Sequence, residues 1–171
     1  MKNKLLPPGK RTHPIERENQ NRRGNDMEDP WKVAVVSSSL DKRQDVAEIL
    51  FRLGIDAVCV STVDEFREIP GREDFGLVFC DRQMKDGDYR DVLPAAASTP
   101  RNPRVVMMSE FHNPEDYQRA KRLGLFDVIP SPCRSSDIEW MIIQARRASR
   151  KELLRSSPEL PMFHKTARTG S

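Results

Sequence analysis

The chain has 171 residues, 32% of them charged and 6% aromatic, with a formal net charge of +3. That length gives one domain of ordinary size and a real core, and the low apolar content points to polar ends around it. No run of 18 apolar residues occurs, and Met1–Gly9 offers two lysines with only Leu5-Leu6 as an apolar stretch, so neither a membrane span nor a signal peptide is expected and the chain is placed in the cytoplasm.

Charge is unevenly distributed. Residues 1–30 carry a net +2, residues 31–143 a net −4 and residues 144–171 a net +5. The basic character therefore sits at the ends, and the middle is mildly acidic. Residues 1–30 are rich in Asn, Arg, Pro and Gly and lack apolar periodicity; they read as a disordered tail. Residues 31–150 read as the folded domain and residues 151–171 as a flexible tail. Cys59, Cys80 and Cys133 are odd in number and have no C-x-x-C spacing, which argues for reduced thiols. The first two fall within apolar strands and are expected to be packed; Cys133, in a loop, is expected to be more exposed.

Folding is expected to start at Trp31. Lys32 to Val36 reads as a short buried strand and Ser37-Ser38-Ser39 as a loop, with one serine capping the helix that follows. From Asp41 to Leu53, Val46, Ile49, Leu50 and Leu53 recur at helical spacing, and Gly54 stands in the usual terminating position. Ile55 to Val60 is a second strand. Ser61-Thr62-Val63-Asp64 reads as a capping box opening a short helix through Ile69, and Pro70-Gly71 as a turn. Leu77-Val78-Phe79-Cys80-Asp81 is a third strand. It has no polar alternation, which implies burial on both faces, and it ends in an acid. A polar loop, Arg82 to Asp88, leads to a weak helix interrupted by Pro94.

Val105 to Met108 is a fourth strand ending at Ser109. Asn113-Pro114-Glu115 sets a cap, a first-turn proline and an acid in favoured order for a helix reaching Leu123, with Tyr117, Ala120 and Leu123 apolar. Phe126 to Ile129 is a fifth strand. Ser136 and Glu139 read as a second capping box. Ile138, Met141, Ile142 and Ala145 form the inward stripe of a last helix reaching about residue 153, with Trp140 off that stripe. Five strands alternating with five helices argue for an α/β fold, a parallel sheet covered on both faces.

In this order the motifs resemble a response-regulator receiver domain of the CheY-like kind. The resemblance covers residues 31–150. An acid ends the third strand (Asp81), a hydroxyl ends the fourth (Ser109), and a proline follows the fifth (Pro132). Met84-Lys85-Asp86-Gly87-Asp88 resembles the family's Met-Pro-x-x-Asp-Gly loop with Lys85 in place of proline, and Arg122 to Asp127 resembles its Gly-Ala-x-Asp/Gly-Tyr turn. The resemblance implies a doubly wound five-stranded sheet in the flavodoxin-like order 2-1-3-4-5. It also implies a Mg²⁺-assisted phosphoryl transfer to Asp81, with a hydroxyl from Ser109 on the phosphoryl oxygen, an acidic pair after the first strand and a lysine before the final proline. A carboxylate can approach an anionic phosphoryl group only if a metal and a cation cancel the repulsion.

The sequence departs from that set. Ser37 and Ser38 stand at the acidic-pair positions, Ser131 at the lysine position and Val128 at the aromatic position of the fifth strand. Serine hydroxyls are neutral and poor Mg²⁺ ligands beside carboxylates. Asp81 is left as the only carboxylate of the cluster unless Asp41 or Asp86 swings in. The chain thus resembles a degenerate, or pseudo-, receiver, and a loop-capping role for Asp81 is favoured over phosphate acceptance. Ser131-Pro132 is a candidate cis bond. His13, His112 and His164 are scattered, so no metal site or catalytic dyad is expected, and neither an enzyme nor a cofactor is.

The expected function is signalling through a protein partner, a histidine kinase or an output protein, on a surface near Tyr117, Lys121 and Trp140. A working phosphoacceptor at Asp81 is the alternative, and only that reading calls for Mg²⁺. A second alternative is a nucleic-acid adaptor using Arg22-Arg23, Arg146-Arg147 and Arg150-Lys151. It lacks a recognition helix or stacking platform, so nucleic acid is not the expected partner.

Overall fold

A computed structural model describes residues 32–69, 74–110 and 113–156. Ten elements alternate: β1 (Lys32–Val36), α1 (Leu40–Arg52), β2 (Ala57–Val60), α2 (Val63–Glu68), β3 (Phe75–Asp81), α3 (Tyr89–Ala97), β4 (Arg104–Ser109), α4 (Pro114–Arg122), β5 (Asp127–Pro130) and α5 (Ser135–Ser156). The strands form one parallel sheet in the order β2-β1-β3-β4-β5. All seven residues of β3 are buried, as its apolar run requires of a central strand covered on both faces.

Alternation along the strands divides the core in two. Ala34, Val36, Val78, Cys80, Val105 and Met107 face α2, α3 and α4, meeting Val63, Phe66, Val92, Ala96 and Ala120. Val33, Val35, Leu77, Phe79, Val106 and Met108 face α1 and α5, meeting Leu50, Ile138, Met141 and Ile142. Burying a side chain such as Phe79 or Leu77 contributes about 1.5–3 kcal/mol. This two-layer covering holds the carboxyl edge of the sheet in place. Gly54 and Gly124 end α1 and α4 with φ of 73° and 105°, a region that side chains disfavour.

Several boundaries differ from the sequence reading. β2 is an edge strand and begins at Ala57, so Cys59 is exposed rather than packed. Cys133 is only partly exposed because it packs against the α1–α5 side of the core. Of the apolar trio on α4, only Ala120 is buried, since a short helix on the sheet's flank covers it along a narrow line. Thr62, not Ser61, is the N-cap of α2; its hydroxyl accepts from Glu65 N–H while the Glu65 carboxylate takes the Ser61 N–H at 2.7 Å.

α3 runs unbroken through Pro94. The capping box of Asp88 and Asp91 and the burial of Val92, Ala95 and Ala96 offset the lost backbone bond. α5 starts two residues earlier than that box would place it, with the Asp137 carboxylate accepting the Arg134 N–H, and this leaves Ser136 inside the helix. α5 also continues to Ser156, past the expected end near residue 153, so Arg146-Arg147 and Arg150-Lys151 all lie on a helix. Trp31, Pro70-Gly71, Arg22-Arg23, His13, His112, His164, residues 1–30 and residues 157–171 lie outside the described residues.

Candidate functional site

The site is built where β1 and β3 end side by side. Val36 pairs with Cys80, so the next residue of each strand, Ser37 and Asp81, meet at the sheet's carboxyl edge. Both are buried. Ser37 Oγ donates to Asp81 Oδ2 at 2.5 Å and accepts from the Ser39 N–H at 3.1 Å. Asp81 therefore does not cap a loop among the described residues; its partner there is a hydroxyl. Its other oxygen, Oδ1, is buried and accepts no hydrogen bond.

A cation faces that oxygen. Ser39 is the N-cap of α1, accepting from the Lys42 N–H, and the Lys42 side chain runs back over the strand ends. Its Nζ lies 3.6 Å from Asp81 Oδ1 and 3.2 Å from Glu110 Oε1. Partial burial works against the ammonium, but the charges of Asp81 and Glu110 outweigh it and hold the Lys42 pKa above the usual lysine value. The next residue, Arg43, donates from its guanidinium to the carbonyl of Ser37.

Ser38 ties three loops. Its hydroxyl donates to the carbonyl of Ser61 at 3.2 Å and accepts from the Lys85 N–H at 3.0 Å. Asp86 closes the same corner by accepting the N–H groups of Val63 and Asp64, at 3.0 and 2.9 Å, at the start of α2. Asp86 is thus committed to a helix terminus, and Asp41 is exposed in the first turn of α1; neither joins Asp81.

The remaining expected residues lie toward β4 and β5. Ser109 is buried and lines a cleft of 620 Å³ between α3 and α4, with Met107, Val128, Tyr89 and Tyr117. Ser131 donates its N–H to the carbonyl of Ser109 at 3.0 Å, and the Ser131-Pro132 bond is cis. Ser131 carries no charge, so β5 supplies no cation to Asp81. Lys42 does, from α1. Sequence reasoning missed it, although a signal was present: two cations in the first turn of a helix oppose its dipole and call for a partner.

A divalent cation does not fit these residues. Mg²⁺ is held mainly by carboxylates. Here the pair positions are serines engaged with Asp81 and with two loops, and an ammonium faces the free oxygen of Asp81. Among the described residues no group of three His, Cys, Asp or Glu side chains is placed to hold a metal.

No family model and no curated protein matches this sequence. Solved structures do match. The signal receiver domain of an HD domain-containing protein from Pseudomonas fluorescens Pf-5 superposes with a TM-score of 0.66 at 12% identity, over 78% of this chain and 98% of that one. The response regulator receiver domain protein from Clostridium thermocellum gives 0.62 at 20% identity, over 72% and 98%. The fold is that of a response-regulator receiver domain. NtrX from Brucella abortus shares this receiver fold at a TM-score of 0.64 and 24% identity, over 73% of this chain and 28% of the longer NtrX chain. Within the receiver fold, this chain has an acid at the end of β3 and sets against it the Ser37 hydroxyl and the Lys42 ammonium.

Proposed function

We propose that the chain is a receiver-like signalling domain of the two-component type that acts by protein–protein contact, without Mg²⁺-dependent phosphorylation. The observation that carries this reading is the bonding of Ser37 and Ser38. The Ser37 hydroxyl is spent on the Asp81 carboxylate and the Ser38 hydroxyl on the backbone of two loops, where phosphoryl transfer would need carboxylates and a metal. The partner is a protein, a histidine kinase or an output protein. Exposed apolar groups for such contact lie on α5, where Trp140 is 53% and Ile143 37% exposed, and on α4 at Tyr117. Lys121 contributes less freely, because its ammonium donates to the carbonyl of Phe126. No nucleophile–base pair is assembled among the described residues, so a signalling role is favoured over an enzymatic one. No described helix is long and apolar enough to cross a membrane.

One feature favours a second reading. Asp81 Oδ1 accepts no hydrogen bond, as a phosphoacceptor oxygen would not. Incubating the full chain with Mg²⁺ and acetyl phosphate, followed by intact mass measurement, separates the two. An unchanged mass is expected. Gain of one phosphoryl group that is lost in Asp81→Asn would replace the proposal with a working phosphoacceptor.

A further inference from the structure

We infer that Lys42 is the resident counter-ion of Asp81 and excludes a divalent cation from this end of the sheet. The inference rests on the signalling reading above and deepens it by naming what holds the charge of the site. Two features support it. The Lys42 ammonium lies 3.6 Å from Asp81 Oδ1, the one oxygen of that buried carboxylate with no hydrogen bond. The ammonium is held from a second side by Glu110, the residue after β4, at 3.2 Å.

A divalent ion bound to Asp81 Oδ1 would stand ~2 Å from that oxygen. It would then lie within a few ångström of the ammonium, and like charges at that range in a partly buried site repel strongly. The ammonium neutralises Asp81 without a metal and ties α1 to the end of β4. It is tethered, so its local concentration at Asp81 does not depend on the solution. Serines at the pair positions and Lys42 act together: the first offer no carboxylate ligands to a metal, and the second supplies the positive charge.

Three variants of the full chain test this. The double variant Ser37→Asp/Ser38→Asp restores the acidic pair. The second adds Lys42→Met, which removes the charge and keeps the length of the side chain. The third adds Lys42→Arg instead, which keeps the charge. Mn²⁺ affinity is read by the free-ion paramagnetic resonance signal, with circular dichroism confirming the fold of each. The Lys42→Met variant is expected to bind Mn²⁺ at least tenfold more tightly than the other two. Equal affinity in all three, whether measurable or absent, would overturn the inference.

If an acid-restored variant fails to fold, Asp81→Asn in the otherwise natural chain gives the second measurement. The Lys42 ammonium, followed by NMR, should titrate at lower pH than in the natural chain, and an unchanged titration would overturn the inference equally. Mg²⁺-dependent phosphorylation of the natural chain at Asp81 would defeat both the phosphorylation-free reading and the exclusion of a divalent cation. Equal Mn²⁺ affinities with an unchanged mass would defeat the exclusion alone.

Discussion

Replacing Ser37 with alanine removes the only hydrogen bond that Asp81 accepts among the described residues. Ser37 is fully buried and Asp81 nearly so, so water does not take the place of the lost hydroxyl without opening the strand ends. A hydrogen bond to a charged group contributes about 1.5–3 kcal/mol. The Ser39 N–H loses its acceptor as well, which adds a smaller cost. Together these predict a destabilisation of about 2–3 kcal/mol, with Tm lowered by about 6–12 °C for a domain of this size. Urea and thermal unfolding measure it directly.

The decisive comparison is a double-mutant cycle with Asp81→Ala. Once the carboxylate is gone, Ser37→Ala should cost only about 1 kcal/mol, from the Ser39 N–H alone. Equal costs in the two backgrounds, within about 0.5 kcal/mol, would show that Ser37 does not serve Asp81 and would refute the reasoning.

Two further outcomes follow from the loops and thiols. Asp86→Ala strips two N–H groups at the start of α2 of their acceptor and should cost about 1 kcal/mol at neutral pH, with faster amide exchange at Val63 and Asp64. Burial works against the Asp86 charge, but the N–H groups of Val63 and Asp64 outweigh it and hold the carboxyl below its ordinary value. Its contribution is therefore present above the ordinary aspartate pKa and lost as pH falls through the lowered one. The stability gap between the natural chain and Asp86→Ala should close in acid, and a gap independent of pH would count against this role.

Thiol labelling with a disulfide reagent at pH 8 should be ordered. Cys59 is exposed and reacts first, although partial burial of its sulfur raises its pKa. Burial, followed by the charge of Asp137, pushes Cys133 up to about 12, so only ~10⁻⁴ of it is thiolate and it reacts slowly. Cys80 is fully buried with its pKa also raised, and it should label only on unfolding. Cys133 reacting as fast as Cys59 would contradict the packing described for it.

The fold was legible because its signals are local and repeated. The apolar run from Leu77 to Asp81 announces a strand buried on both faces, and Asn113-Pro114 and Gly54 punctuate the helices where the structure places them. What was misread depended on position in the sheet. Cys59 looked buried because its neighbours are apolar, yet β2 is an edge strand. Pro94 looked like a break because the capping and burial that hold α3 together are distributed over nine residues. The box at Ser61 slipped by one residue because Ser61 and Thr62 are both capping residues, and only the backbone decides between them.

The residues of the site divide in the same way. That Asp81 ends a central strand, that serines replace an acidic pair and that Ser131 carries no charge all follow from the chain read in order. The neutralisation of Asp81 by Lys42 does not. Lys42 is 39 positions away in sequence, and its ammonium reaches the carboxylate only because β1 and β3 are adjacent and α1 begins directly above their ends. Apolar periodicity and capping act within a few residues and are written into the sequence. A charge pair across the edge of a sheet is set by which strands are neighbours, and that is decided by packing the whole core.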